Sequence, residues 1–183
     1  MKKLFLIFLL SAFLSIPIFA NGSLQKEALS IKGYVEDILI MPDNILLSAK
    51  LDSGADTSSL NAQHIRISKR SGQDWVEFDV LDKNTVHHLS YIVLKKVSIK
   101  NRSGEITNTA QAASRPLIAM DVCLGGRIEK IKVNLVDRSQ FKYPFLLGRE
   151  ALAQYDVLID PKSRYKNSVM PSPTNCHKSL LTY

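Results

Sequence analysis

The sequence predicts a single all-β domain carrying one short helix near its C-terminal end. Three observations lead there. Short runs rich in Val, Ile and Leu alternate with turn residues from Ile31 to Asp160, the pattern of many short strands. Helical periodicity is weak everywhere except around Arg149 to Gln154. The chain has 183 residues, and a domain of about 150 residues buries close to 70% of its unfolded surface, so it needs no disulfide staples to fold.

In chain order, the strands expected are Ile31 to Ile40, Ile45 to Leu51, Trp75 to Leu81, Val86 to Leu94 and Val97 to Ile99. Glu105 to Gln111, Leu117 to Cys123, Arg127 to Val136, Phe145 to Leu147 and Val157 to Ile159 complete the set. Between them lie Pro42-Asp43-Asn44, Ser71-Gly72-Gln73, Asn101-Arg102-Ser103-Gly104 and Gly125-Gly126, residues that accept turn geometry. Arg149 to Gln154 follows a glycine and carries Ala151, Leu152 and Ala153, good helix formers. From residue 166 onward Pro171, Ser172, Pro173 and Thr174 show no period, so residues 166–183 are expected to form a flexible tail.

Residues 1–20 are set apart. Lys2 and Lys3 precede an uncharged apolar run from Leu4 to Phe19 that ends at Ala20, the pattern of a secretory signal. The run is short of the about 20 apolar residues a spanning helix needs. Cleavage after Ala20 is expected, leaving residues 21–30 as an N-terminal extension and 31–165 as the domain. Ile18 is a poor residue three places before the cut, so a membrane anchor facing the periplasm is the alternative. Both readings put the domain outside the cytoplasm, in the periplasm or secreted.

The formal net charge is +7, of which Lys2 and Lys3 contribute two. The remaining excess is dispersed over Lys69-Arg70, Lys95-Lys96, Lys130, Lys132 and Lys162 to Lys166 without interleaved aromatics. No nucleic-acid partner is expected from that distribution; an acidic envelope surface or substrate is compatible with it, as is an envelope-associated partner. Cys123 and Cys176 leave two readings open, a bridge in an oxidising compartment or a buried free Cys123. No His-Glu-x-x-His occurs, His87 and His88 are adjacent on a strand and so face opposite ways, and His64 stands alone. Neither a metal site nor a phosphate-cradling glycine loop is expected, and no cofactor.

Leu51-Asp52-Ser53-Gly54-Ala55-Asp56-Thr57 is a strand that delivers an aspartate into a tight turn, and Phe145-Leu146-Leu147-Gly148-Arg149 is a second strand ending in a glycine before the helix. Together these segments resemble the two halves of a retropepsin-like aspartic peptidase site. The stretch from Ile31 to Tyr165 resembles a bacterial retropepsin-like group often labelled ATP-dependent zinc proteases. It does so most over Arg115 to Ile118, Cys123 to Arg127, Val133 to Ser139, Phe141 to Arg149 and Leu158 to Pro161. Ser53 stands where that group commonly has Thr, and Asp56 where it often has a basic residue.

The resemblance implies a closed β-barrel of the acid-protease half-domain type and an exported endopeptidase with Asp52 as its catalytic carboxylate. Ser53, Gly54 and Ala55 would form the active-site loop, with Asp56, Thr57, Leu147, Gly148 and Arg149 supporting it. Gly148 would let the two strands approach closely, and Asp56 would clasp Arg149 in a bidentate bridge. The chemistry needs a second carboxylate, yet the chain has no second Asp-Ser/Thr-Gly. A homodimer sharing one site is therefore expected, acting on a peptide or protein. At about 3 Å and a dielectric near 20 two such charges repel by roughly 5 kcal/mol, so the pair shares a proton. The rival readings are a catalytically silent envelope binding or scaffold domain of the same fold, and an enzyme acting on an envelope polymer or a glutamate-rich chain. His87, His88 and Tyr91 are candidates to line the cleft or simply to lie on a solvated hairpin.

Overall fold

The computed structural model describes residues 29–98, 114–167 and 169–178. The leader, most of the extension, the expected strand Glu105 to Gln111 and the turn 101–104 lie outside the described residues.

The first half of the chain forms Ser30–Gly33 (β1), Val35–Met41 (β2), Ile45–Asp52 (β3), Ser58–Asn61 (β4), Gln63–Arg70 (β5), Gln73–Asp82 (β6), Thr85–Ile92 (β7) and Lys95–Ser98 (β8). Ser114–Leu124 (β9), Arg127–Val136 (β10), Phe145–Gly148 (β11), the helix Arg149–Gln154 (α1), Val157–Asp160 (β12) and His177–Lys178 (β13) follow. Strands β10, β4, β11, β3, β2 and β9 are neighbours in that order, and β9 pairs back on β10, which closes a six-stranded barrel. Closure leaves the barrel strands without open edges.

Alternation explains the barrel core. Along β3, Ile45, Leu47, Ala49 and Leu51 are buried, while Leu46, Ser48, Lys50 and Asp52 take the other face. That is the two-residue period of a strand with one face in the core. Ile38, Ile40, Ile118, Met120, Ile131, Val133, Leu135, Phe145 and Leu147 fill the same core. Strands β5, β6 and β7 form a separate three-stranded sheet, which turns Val76, Phe78, Val80 and Leu89 into that core.

The expected strand from Ile31 to Ile40 is two strands. β1 leaves the barrel and pairs in parallel with β12, whereas β2 pairs with β3 and β9. Glu36 marks the division: its fully buried carboxylate accepts the backbone N–H groups of Gly33 (2.6 Å), Lys166 (2.9 Å) and Asn167 (3.2 Å). A buried carboxylate is tolerated when such donors satisfy it.

The flexible tail expected from residue 166 is corrected over its described part. Cys176 is bonded to Cys123, His177 and Lys178 pair with Arg127 and Ile128, and Cys123, Cys176 and Leu39 form a second small core. Pairing of the two cysteines also removes the free-Cys123 alternative.

Candidate active site

Asp52 is the last residue of β3, held from one side by β11 in parallel register, Gly148 opposite Asp52 and Leu147 opposite Leu51. The same β11 pairs with β4 on its other side. A late segment of the chain is thus inserted between two early strands, and the loop 53–57 crosses over its end.

Close approach at that crossing requires glycine. A Cβ on Gly148 would sit 2.6 Å from the carbonyl carbon of Thr57, 2.8 Å from its oxygen and 2.9 Å from the oxygen of Asp56, inside any normal contact distance. The Gly148 N–H instead donates to the buried Ser58 hydroxyl at 3.1 Å. Helix α1 begins directly after, and its first N–H groups have no partners inside the helix. The aspartate loop supplies them: Arg149 N–H donates to Ala55 O (2.7 Å) and Glu150 N–H to Asp56 O (3.0 Å).

Within the loop, Gly54 N–H donates to Asp52 Oδ1 at 3.0 Å, and Ala55 N–H to Asp52 O at 3.3 Å. Lys50, two residues earlier on the same face of β3, donates from Nζ to Asp52 Oδ2 at 3.1 Å. Asp52 retains about a fifth of its exposure. Arg149 meets Asp56 through its Nη2 alone, both side chains exposed, where a two-pronged bridge was expected. Ser53 borders an open hollow of about 520 Å³ that Arg149, Leu152, Leu158 and Leu29 also line.

Two arginines complete the surroundings. Arg138, after β10, lies over the Phe141 ring at 4.4 Å, and its Nε is buried without a hydrogen-bond partner. Burial and then the Arg115 charge push the Arg138 guanidinium below its ordinary range, while the Asp52 charge pulls it upward. Lys50, Arg115 and Arg138 were missed by the sequence reading. Lys50 was recoverable, since a residue two places before an aspartate on one strand shares its face; the arginines gather only through the fold.

The other candidates fall elsewhere. His87 is half-buried opposite Val80, and Tyr91 packs on Phe78 with ring centroids 6.0 Å apart, burial raising its hydroxyl to about 12. His64 is not isolated. Its Nδ1 and that of His88 meet the two oxygens of Asp79 at 2.7 and 2.5 Å, on the outer face of the three-stranded sheet. These hydrogen bonds hold the Asp79 carboxyl below its ordinary range. Among the described residues no group of three or more His, Cys, Asp or Glu is arranged to hold a metal ion.

The chain is 32% identical over 120 residues to a probable alpha-L-glutamate ligase of Shewanella pealeana and 34% identical over 119 residues to one of Desulfotalea psychrophila. These alignments take in 65% and 63% of this chain but only 25% and 24% of the ligases, so it spans about a quarter of their length. A crystal structure of a Legionella pneumophila protein of unknown function superposes with a TM-score of 0.65 at 32% identity, covering 77% of this chain and all of the other. A family model for the retropepsin-like aspartic endopeptidase RimB matches residues 31–168. The chain belongs to the RimB-like family of retropepsin-like aspartic endopeptidases.

Proposed function

We propose that the protein is an exported aspartic endopeptidase whose active site is assembled from the Asp52 carboxylates of two identical chains. The observation that carries the reading is the presentation of one partly exposed carboxylate at the end of β3 by a loop locked to Gly148 and the start of α1. One carboxylate cannot both activate water and protonate the leaving amide. A second copy supplies the other. Ser53, Gly54 and Ala55 shape the turn, and Asp56, Thr57, Leu147 and Arg149 hold it. Leu29 and Leu158 line the hollow that Ser53 borders, Ile31 is paired with Leu158, and all three are more than half exposed, offering apolar area for the second copy to cover.

The mechanism follows from that pairing. With one proton shared between the carboxylates, the ionised Asp52 takes a proton from water as it attacks the scissile carbonyl carbon. The protonated partner donates to the amide as the C–N bond breaks, so the proton inventory closes over the cycle. Arg138, whose charge interacts with that of Asp52 and whose Nε is buried without a hydrogen-bond partner, would favour carboxylate side chains on the substrate. The glutamate ligases that carry a matching segment make the same substrate chemistry reasonable, so we propose an acidic, glutamyl-rich peptide as the substrate class. The disulfide between Cys123 and Cys176 and the apolar leader support a periplasmic or secreted site.

The test mixes wild-type chains with excess Asp52→Ala protein and follows cleavage of a glutamyl-rich peptide and of an unstructured neutral protein. Activity per wild-type chain should fall as inactive partner is added, the acidic peptide should be cleaved faster, and EDTA should change nothing. Undiminished activity in confirmed heterodimers would end the shared-site reading. A folded, dimeric protein that turns over neither substrate would favour the silent scaffold.

A further inference from the structure

Lys50 has no part in the chemistry just described, yet its ammonium lies 3.1 Å from Asp52 Oδ2. It stands on the outward face of β3, half exposed, with Ser48 and Asp52 on the same face. A half-exposed ion pair adds little to stability. Its consequence therefore lies in charge. Nearby, Arg149 is joined to Asp56, and Arg138 is stacked on Phe141.

We infer that Lys50 is a counter-ion that lets two copies of the chain bring their Asp52 carboxylates together with only a single shared proton between them. It is a positioning residue, acting through Asp52 and not on substrate. The inference rests on the proposed two-chain site. Each copy arrives with a carboxylate that already carries an ammonium, which offsets part of the repulsion between the facing pair. Without the ammonium, the facing carboxylates escape repulsion only by holding protons to higher pH.

The size follows from the geometry. At 3.1 Å, with the near-water dielectric appropriate to a half-exposed lysine, one ammonium is worth about one pH unit to its carboxylate. Lys50→Met should therefore move both limbs of the pH profile of kcat/KM upward by about one unit. It should also weaken the dimer at neutral pH by roughly tenfold in Kd, with the difference shrinking as pH falls and the carboxylates take up protons. Arg115 and Arg138 act on both proteins alike and do not remove the contrast.

The experiment measures pH–rate profiles on a glutamyl-rich peptide, and dimer Kd by sedimentation at pH 7 and pH 4, for wild type, Lys50→Met, Lys50→Gln and Lys50→Arg. The two neutral variants should share the shift, and Lys50→Arg should restore the wild-type profile and affinity. Two neutral variants are included so that a folding defect in one leaves the comparison intact. A folded neutral variant with the wild-type pH profile and the wild-type pH dependence of Kd overturns the role of Lys50. The underlying reading fails separately, by turnover that survives Asp52→Asn.

Discussion

Replacing Gly148 by alanine adds a single methyl group at the place where β11 crosses the aspartate loop. The new carbon would start 2.6 Å from the carbonyl carbon of Thr57 and 2.8 Å from its oxygen, about 1 Å inside ordinary contact between such atoms. All three nearest atoms belong to backbone, so no side chain can swing away. Either β11 retreats from β3 and β4 or the loop 53–57 shifts. Overpacking of this kind costs about 1 to 3 kcal/mol. Displacing the Gly148 N–H from the buried Ser58 hydroxyl adds about 1 kcal/mol, giving a total near 3 kcal/mol. For a domain of this size that lowers Tm by roughly 6 to 12 °C. Urea unfolding followed by circular dichroism measures the loss directly, and turnover should fall on the order of a hundredfold, because a displacement of about 1 Å misplaces Asp52. A Gly148→Ala protein with wild-type midpoint and unchanged turnover would show that β11 does not fix the loop, and the packing argument would collapse.

Two further outcomes concern the tail. Cys176→Ser opens a loop closed across 53 residues, a loss of about 4 kcal/mol by chain entropy; a thermal midpoint that does not fall, or that remains sensitive to reductant, contradicts it. Asp160 is held down to about 2, first by the Ser163 hydroxyl, then by the Lys162 N–H and Lys166. Its folded value lies below its ordinary value, so its contribution is present above about pH 4 and is lost as pH falls toward 2. Asp160→Asn should flatten that part of the stability profile, and the protection of the Lys162 amide, which donates to the Asp160 carboxylate, measured relative to its intrinsic exchange rate, should stop changing between those limits.

Much of the barrel could be read from sequence because its strands obey a local rule. β3, β9 and β10 alternate or run apolar, and Gly148 between an apolar pair and Arg149 signals close packing. β4 and β5 escaped for opposite reasons. Ser58 and Ser59 are buried but polar, and Ser58 is satisfied through the Gly148 N–H that only the fold supplies. β5 is exposed along nearly its whole length and so lacks the alternation that marks a strand. At the site, Asp52 and its turn stood out because the backbone needs those residue types in that order. Lys50 reads as a routine solvent-facing lysine, and Arg115 and Arg138 are far apart in sequence. The disulfide was undecidable, since nothing local brings Cys123 to the tail.

The insertion of β11 between β3 and β4 also sets the order in which the molecule can be made. A nascent chain that ends before Phe145 has both neighbours of that strand but nothing to join them, so the barrel stays open and the aspartate loop has no floor. Folding must wait for sequence nearly a hundred residues beyond the motif it completes. Such distant pairing is slow and leaves strand edges exposed in the interval. The export proposed above, as an unfolded chain, would suit that schedule, because the segments that would mispair would be kept apart until the last barrel strand has arrived.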